Sequence, residues 1–140
     1  MNSTVIFWPM IAQAFLVYAI YVLVSRRRVV AIKTGLAKSS DYRIPITEPE
    51  PSATAIRSLI NQFELPVLFF AACLALQAVD GVSFLALIVA WVFVASRFLH
   101  AYVHVTTNRL RHRRPLFVVG FLASMALWVL LAAHLLGVAR

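Results

Sequence analysis

The chain has 140 residues, of which 62% are hydrophobic and 13% are charged, and its mean hydropathy is +0.87. These values exclude an ordinary soluble domain and indicate an integral membrane protein. The formal net charge is +8, but the basic residues cluster beside apolar segments. That distribution favours contact with membrane lipids over binding to nucleic acid. Cys73 is the single cysteine in the sequence, so no intrachain disulfide can form.

Four apolar segments are long enough to cross a hydrocarbon core about 30 Å thick at about 1.5 Å per helical residue. They cover residues 5–24, 59–79, 83–104 and 116–136. Residues 25–58 are polar, basic and broken by prolines, which predicts a cytoplasmic loop. We therefore expect an all-α fold, a single four-helix transmembrane bundle that occupies residues 1–140.

The basic residues predict how the bundle is oriented. Most of them lie around the first and third connections, whereas the opposite side carries only Asp80 and Arg140. By the positive-inside rule, both termini lie outside and the two basic connections are cytoplasmic. The short Asp80-Gly81 turn predicts that the second and third segments are antiparallel neighbours, so their polar residues lie at the same end.

Each of these two segments carries a stripe of polar side chains on one predicted helix face, within arcs of roughly 60° and 80°. The helix of the second segment is expected to start before Arg57, and its stripe consists of Arg57, Asn61 and Glu64. The stripe of the third segment consists of Arg97, His100 and His104, followed by Asn108 just beyond the segment. Pro66 lacks a backbone donor, which predicts a bend next to Glu64. Ionisable groups inside a membrane usually contact a ligand, a proton path or each other.

The balance of charge favours an anion-binding site. Glu64 alone cannot neutralise Arg57, Arg97, the cluster after the first segment that includes Arg26 and Arg27, and the arginines after the third segment. A structural ion pair between Glu64 and one arginine is the simpler alternative. The excess of guanidinium groups instead suits a ligand with carboxylates or phosphates.

His100 and His104 are one helical turn apart, but no glutamate stands between them, so a metal site is disfavoured. As separate histidines they suit either hydrogen bonding in the bundle or proton transfer, and the sequence leaves both open. Arg113 and Arg114 stand beside Pro115, where they are expected at the mouth of a cavity.

The pattern Arg57-x-x-x-Asn61-x-x-Glu64, with Arg97-x-x-His100 on the next segment, resembles the MAPEG family, membrane-associated proteins in eicosanoid and glutathione metabolism. The resemblance implies a divergent, bacterial-type member in the inner membrane. It also implies a homotrimer that binds glutathione between subunits at the cytoplasmic end and receives a lipophilic substrate from the bilayer.

The resemblance assigns roles to individual residues. It implies that glutathione is held by one group and activated by another, with Glu64 accepting from the amino group and arginines meeting the carboxylates. The binding group is Arg26, Arg27, Arg57, Asn61, Glu64, Arg97 and His100, and the catalytic group is Arg113, Arg114 and His104. A cation near the sulfur would lower the thiol pKa and generate a thiolate nucleophile.

Two positions depart from the family pattern. His104 replaces a tyrosine that contacts glutathione, and Ile60 stands where some members have an arginine. The expected function is a glutathione-dependent transferase or peroxidase acting on a lipophilic electrophile. The alternatives are a non-catalytic scaffold or lipid-binding protein of the same fold, and a small proton-coupled multidrug transporter in which Glu64 carries protons.

Overall fold

The computed structural model describes residues 3–43 and 48–138 of the chain. Part of the predicted loop, residues 44–47, and the terminal Arg140 therefore lie outside the described residues. Within the described ranges the regular structure is entirely helical. Two short 3-10 turns, Ser3–Ile6 and Ser39–Tyr42, accompany the α-helices, which are α1 Phe7–Lys33, α2 Glu50–Ile60, α3 Leu65–Ala78, α4 Phe84–Val105 and α5 Leu110–Leu135.

Four helical segments of the described chain are long and apolar enough to cross a membrane. They are Ser3–Lys33, Glu50–Ala78, Phe84–Val105 and Leu110–Leu135, so α2 and α3 together form one span. The predicted all-α four-helix membrane bundle is confirmed. The helix bounds differ from the predicted ones in three places, each for a physical reason.

The first helix does not end near residue 24 but continues to Lys33. Arginine favours helix, so the Arg26 to Arg28 cluster marks the edge of the apolar segment without ending the helix. The helix ends where Gly35 adopts a left-handed φ of +75°. The N–H of Leu36 then bonds to the carbonyl of Ala31 at 2.9 Å, which closes the helix end.

Within the predicted loop at 25–58, residues 50–58 belong to α2. The prolines predict a break in regular structure, but Pro51 lies in the first turn of α2, where its missing N–H has no helical partner to lose. The last helix begins at Leu110, earlier than the predicted residue 116. Its arginines continue the helix on the N-terminal side of Pro115.

The helices enclose two clusters of buried apolar side chains. The larger cluster joins α3, α4 and α5, and the rings of Phe69 and Phe93 stack there with centroids 4.2 Å apart. The smaller cluster joins α1 and α2 and includes Ala101 of α4. Helix α4 packs most extensively against α5, and α1 against α2.

Candidate anion site

The predicted bend in the second span is a complete interruption of the helix. Helix α2 ends at Ile60 and α3 begins at Leu65. Pro66, the second residue of α3, has no N–H to donate to the carbonyl of Gln62 and its ring crowds that carbonyl. Residues 61–64 therefore form a non-helical junction, and the predicted 60° arc on one continuous helix face is wrong. Asn61 and Glu64 lie in this junction, whereas Arg57 remains on α2 with an exposed side chain.

Arg97 of α4 meets this junction. Its side chain is fully buried, at 0% exposed, and its Nη2 donates to the carbonyl of Asn61 at 3.0 Å. Its Nε and Nη1 have no hydrogen-bond partner. Glu64 is close enough to attract Arg97 electrostatically, but no described residue forms an ion pair with it within 4.0 Å. The guanidinium is thus buried and only partly satisfied, a costly arrangement for a charge.

The two histidines of α4 are buried on the same side. Their rings meet edge to face with centroids 5.7 Å apart. Nδ1 of His104 lies 3.4 Å from Nδ2 of Asn61, while Nδ1 of His100 has no partner. Asn61 therefore contacts α4 through its backbone carbonyl and its side-chain amide.

Asn108 positions an arginine at the start of α5. It adopts a left-handed φ of +49°, a conformation that asparagine tolerates better than most residues. Its N–H bonds to the carbonyl of Val103 at 2.7 Å, which ends α4. Its Oδ1 accepts a hydrogen bond from Nη1 of Arg113 at 2.6 Å. The sequence placed Asn108 in the stripe of α4, but this contact with Arg113 was not predicted.

These elements surround a cavity of about 430 Å³, here called the polar cavity. It is lined by Asn61, Glu64, His100, Leu110, Arg113, Arg114 and Phe117. Five of these residues were predicted for the site. Leu110 and Phe117 were missed because one more apolar residue in an apolar segment gives no signal. Arg97 and His104 do not line the cavity but contact Asn61, which does.

The structure does not bring Arg26 and Arg27 to the polar cavity. Arg27 donates to Oγ1 of Thr54 at 2.7 Å and to the carbonyl of Val105, so it ties α1 to α2 and α4. Arg26 is exposed, and both arginines line a separate cavity of about 200 Å³. Two of the predicted glutathione-binding residues, Arg26 and Arg27, therefore lie apart from the polar cavity. Arg57 does not line it either, but it is close enough to His104 to interact with it electrostatically.

An ion pair fastens the segment before α2 to α1. Arg28 donates to both carboxylate oxygens of Glu48, at 2.9 and 2.7 Å, and its guanidinium lies 5.1 Å from the ring centroid of Tyr42. The hydrogen bond from Arg28 lowers the pKa of the Glu48 carboxyl below its usual value. Glu48 neutralises the charge of Arg28, so Arg28 adds no unpaired positive charge to the polar cavity.

The polar cavity carries an excess of positive charge. Arg113 and Arg114 line it and Arg97 lies behind it, whereas Glu64 is its single carboxylate among the described residues, so these four side chains carry a formal charge of +2. Guanidinium groups bind carboxylates in a fork geometry, and Glu64 offers an acceptor for an ammonium group. The fold and the site thus define a multi-pass membrane protein with a polar cavity that carries excess positive charge.

The particular family follows from a family model. The MAPEG family model matches residues 5–133, nearly the whole chain, and the protein belongs to the MAPEG family. Neither the curated proteins nor the solved structures include a significant match to it.

Proposed function

We propose that the protein is a glutathione-dependent transferase or peroxidase that acts on a lipophilic electrophile. The observation that carries the proposal is the polar cavity with its excess of guanidinium groups, beside a fully buried Arg97 that lacks two hydrogen-bond partners. Membership of the MAPEG family supports it. The residues present fit glutathione, a peptide with two carboxylates, one amine and one thiol.

In this proposal each polar group of the cavity has a distinct task. Glu64 accepts from the ligand's ammonium group, and Asn61 is held towards the ligand by Arg97 and His104. Arg113, fixed by Asn108, and Arg114 attract the carboxylates and place positive charge where a thiolate would form. When bound, glutathione supplies the sulfur nucleophile. Leu110 and Phe117 give the cavity an apolar edge for the lipophilic substrate.

We further propose a homotrimer in a bacterial inner membrane, with both termini outside and the basic connections in the cytoplasm. Arg26, Arg27 and Arg57 do not line the polar cavity of their own subunit, which is consistent with a site completed by a neighbouring subunit. The mass of the protein–detergent complex measured by native mass spectrometry tests the assembly. A monomer that binds glutathione with full affinity would rule the shared site out.

Calorimetry with glutathione in detergent tests the proposed ligand. We expect Arg113→Met and Glu64→Gln each to weaken binding by about tenfold or more, because each removes a charge-assisted hydrogen bond worth about 1.5–3 kcal/mol. Arg111→Met is the matched control, since Arg111 is exposed on the same helix and does not line the cavity. Thiolate absorbance of the bound ligand then tests activation of the sulfur. No heat of binding and no thiolate would favour a non-catalytic scaffold.

A proton-coupled transporter is the second candidate. The specific observation in its favour is the helix interruption at residues 61–64 beside Glu64, since transporters often place their ion sites at broken helices. Dye uptake into vesicles that follows a proton gradient and disappears in Glu64→Gln would support it. Glutathione binding without any uptake would reject it.

A further inference from the structure

A pair of buried glutamines joins α1 to the junction between α2 and α3. Gln13 is 0% exposed and Gln62 is 2% exposed. Nε2 of Gln13 donates to Oε1 of Gln62 at 3.0 Å, and Nε2 of Gln62 donates to the carbonyl of Ser58 at 3.1 Å. Both residues lie within candidate membrane spans. Neither belongs to the polar stripes that the sequence singled out.

The second of these bonds satisfies a carbonyl that the helix interruption leaves without its helical donor. In a continuous helix the N–H of Gln62 would bond to the carbonyl of Ser58. Here that N–H bonds instead to the carbonyl of Leu59 at 2.9 Å, and the side chain of Gln62 takes over its role at Ser58. An unsatisfied backbone group is costly inside a membrane. The Gln62 side chain therefore stabilises the interrupted geometry itself.

The first bond fixes that side chain from α1. Gln62 needs a defined rotamer to reach the carbonyl of Ser58, and Gln13 holds its oxygen from the opposite side. The next residue in the chain, Asn61, contacts Arg97 and His104 of α4 and lines the polar cavity. The junction is thus held between α1, through Gln62, and α4, through Asn61.

We propose that Gln13 and Gln62 are positioning residues of the polar cavity: they hold the junction so that Asn61 and Glu64 face the ligand. The inference deepens the proposed function and rests on it for its ligand, but the local structural effect can be measured without any ligand. Neither glutamine touches the cavity. Their effect on binding passes through the backbone of residues 61–64.

Four single-residue variants and one double variant test the proposal. Gln13→Met and Gln62→Met keep the size of the side chain and remove its hydrogen bonds. Gln77→Met is the matched control, because Nε2 of Gln77 also makes a long-range bond, to Oγ of Ser3 at 3.1 Å, but at the other end of α3. The double variant Gln13→Met/Gln62→Met shows whether the two glutamines act as one unit.

Two measurements are made on each variant in detergent. Hydrogen–deuterium exchange of the peptide covering residues 58–65 reports the junction, and calorimetry gives the dissociation constant for glutathione. We expect faster exchange and about tenfold weaker binding in either Met variant at the glutamine pair, and no further loss in the double variant. Gln77→Met should stay within about twofold of wild type in both measurements.

A conservative variant distinguishes the effect of losing the hydrogen bond from the effect of altered packing. In its protonated form the carboxyl of Gln13→Glu keeps an O–H donor for Gln62, so we expect affinity within about threefold of wild type. Unchanged junction exchange in Gln13→Met and Gln62→Met would overturn the proposal, as would equal effects in Gln77→Met or a Gln13→Glu as weak as Gln13→Met. If wild type does not bind glutathione but exchange rises only in the glutamine-pair variants, the proposed function fails and the positioning of the junction stands.

Discussion

Replacing Arg97 with methionine tests whether Arg97 serves ligand binding or the stability of the bundle. The substitution removes a fully buried charge. Burying a charge in a protein interior costs several kcal/mol, and replacing it with a well-packed apolar residue recovers about 1–4 kcal/mol of that cost. It also leaves the carbonyl of Asn61 without its donor, at a cost of about 1–3 kcal/mol. The two effects oppose each other, so we expect the free energy of unfolding to stay within about 2 kcal/mol of wild type.

Ligand binding should respond differently. Asn61 loses the contact that holds it at the polar cavity, and the cavity loses one of its three positive charges. We expect glutathione affinity to fall by about tenfold or more, since about 1.4 kcal/mol corresponds to a factor of ten. Tryptophan fluorescence during thermal and denaturant unfolding in detergent measures stability, and calorimetry measures affinity. Arg111→Met serves as the control for loss of one positive charge on an exposed helix position.

A loss of about 3–5 kcal/mol in stability would refute this reasoning, because that is the usual result of breaking a buried ion pair. Arg97 would then be balanced by Glu64 and serve the bundle rather than the ligand. Affinity unchanged in a stable Arg97→Met protein would refute the role of Arg97 in the site.

Three further predictions concern packing, pH and thiol reactivity. In Gly120→Ala the new Cβ would lie 2.8 Å from Oγ of Ser96, a short side chain tied to the carbonyl of Phe93. We expect a loss of about 1–3 kcal/mol in unfolding experiments, largely recovered in Gly120→Ala/Ser96→Ala; equal stability of both variants would contradict the contact. Because Arg28 lowers the folded-state pKa of Glu48, the pair stabilises the fold above the unfolded-state value near about 4.3 and this contribution is lost as pH falls through the folded pKa. The melting temperature of wild type should therefore exceed that of Glu48→Gln at neutral pH and converge with it in acid, and a constant difference would contradict the ion pair. Cys73 is 0% exposed, so maleimide should label it slowly in the folded protein and rapidly after denaturation; equal rates would show that α3 does not bury it.

Much of the fold could be predicted from residue composition alone. Four apolar runs of sufficient length define the spans, because each residue of a membrane helix must be apolar or face the bundle. Pro66 marked the point where the helix of the second span is interrupted, because proline has no N–H to donate to the carbonyl of Gln62. The helix ends were less predictable. Arg26 marks the edge of the first apolar segment, but α1 continues beyond it to Lys33 and ends where Gly35 takes a left-handed conformation.

The residues of the candidate site also fall into those that the sequence indicates and those that it does not. Asn61, Glu64 and His100 were recognisable because polar groups in apolar segments are costly and therefore conspicuous. Arg113 and Arg114 lie before the fourth apolar segment and were indicated by their position beside Pro115 and by the family resemblance. Gln13 and Gln62 are also polar, but a neutral amide has a partner within reach in many arrangements, and only the packed helices show which partner it has. The roles of Leu110 and Phe117 were not recognisable from the sequence, because their side chains differ in no way from their lipid-facing neighbours.

The sequence by itself determined the class of protein and the number of spans, and it indicated the polar residues of the candidate site, because transfer of each residue into hydrocarbon depends on its own chemistry. Only the tertiary structure decided that residues 61–64 leave the helix, that Arg97 is buried behind Asn61, and that Arg26 and Arg27 lie apart from the polar cavity. These features depend on distances between side chains that are far apart in the chain. The physical reason is that burial and hydrogen bonding belong to pairs of groups, and a linear sequence records the groups without their pairing.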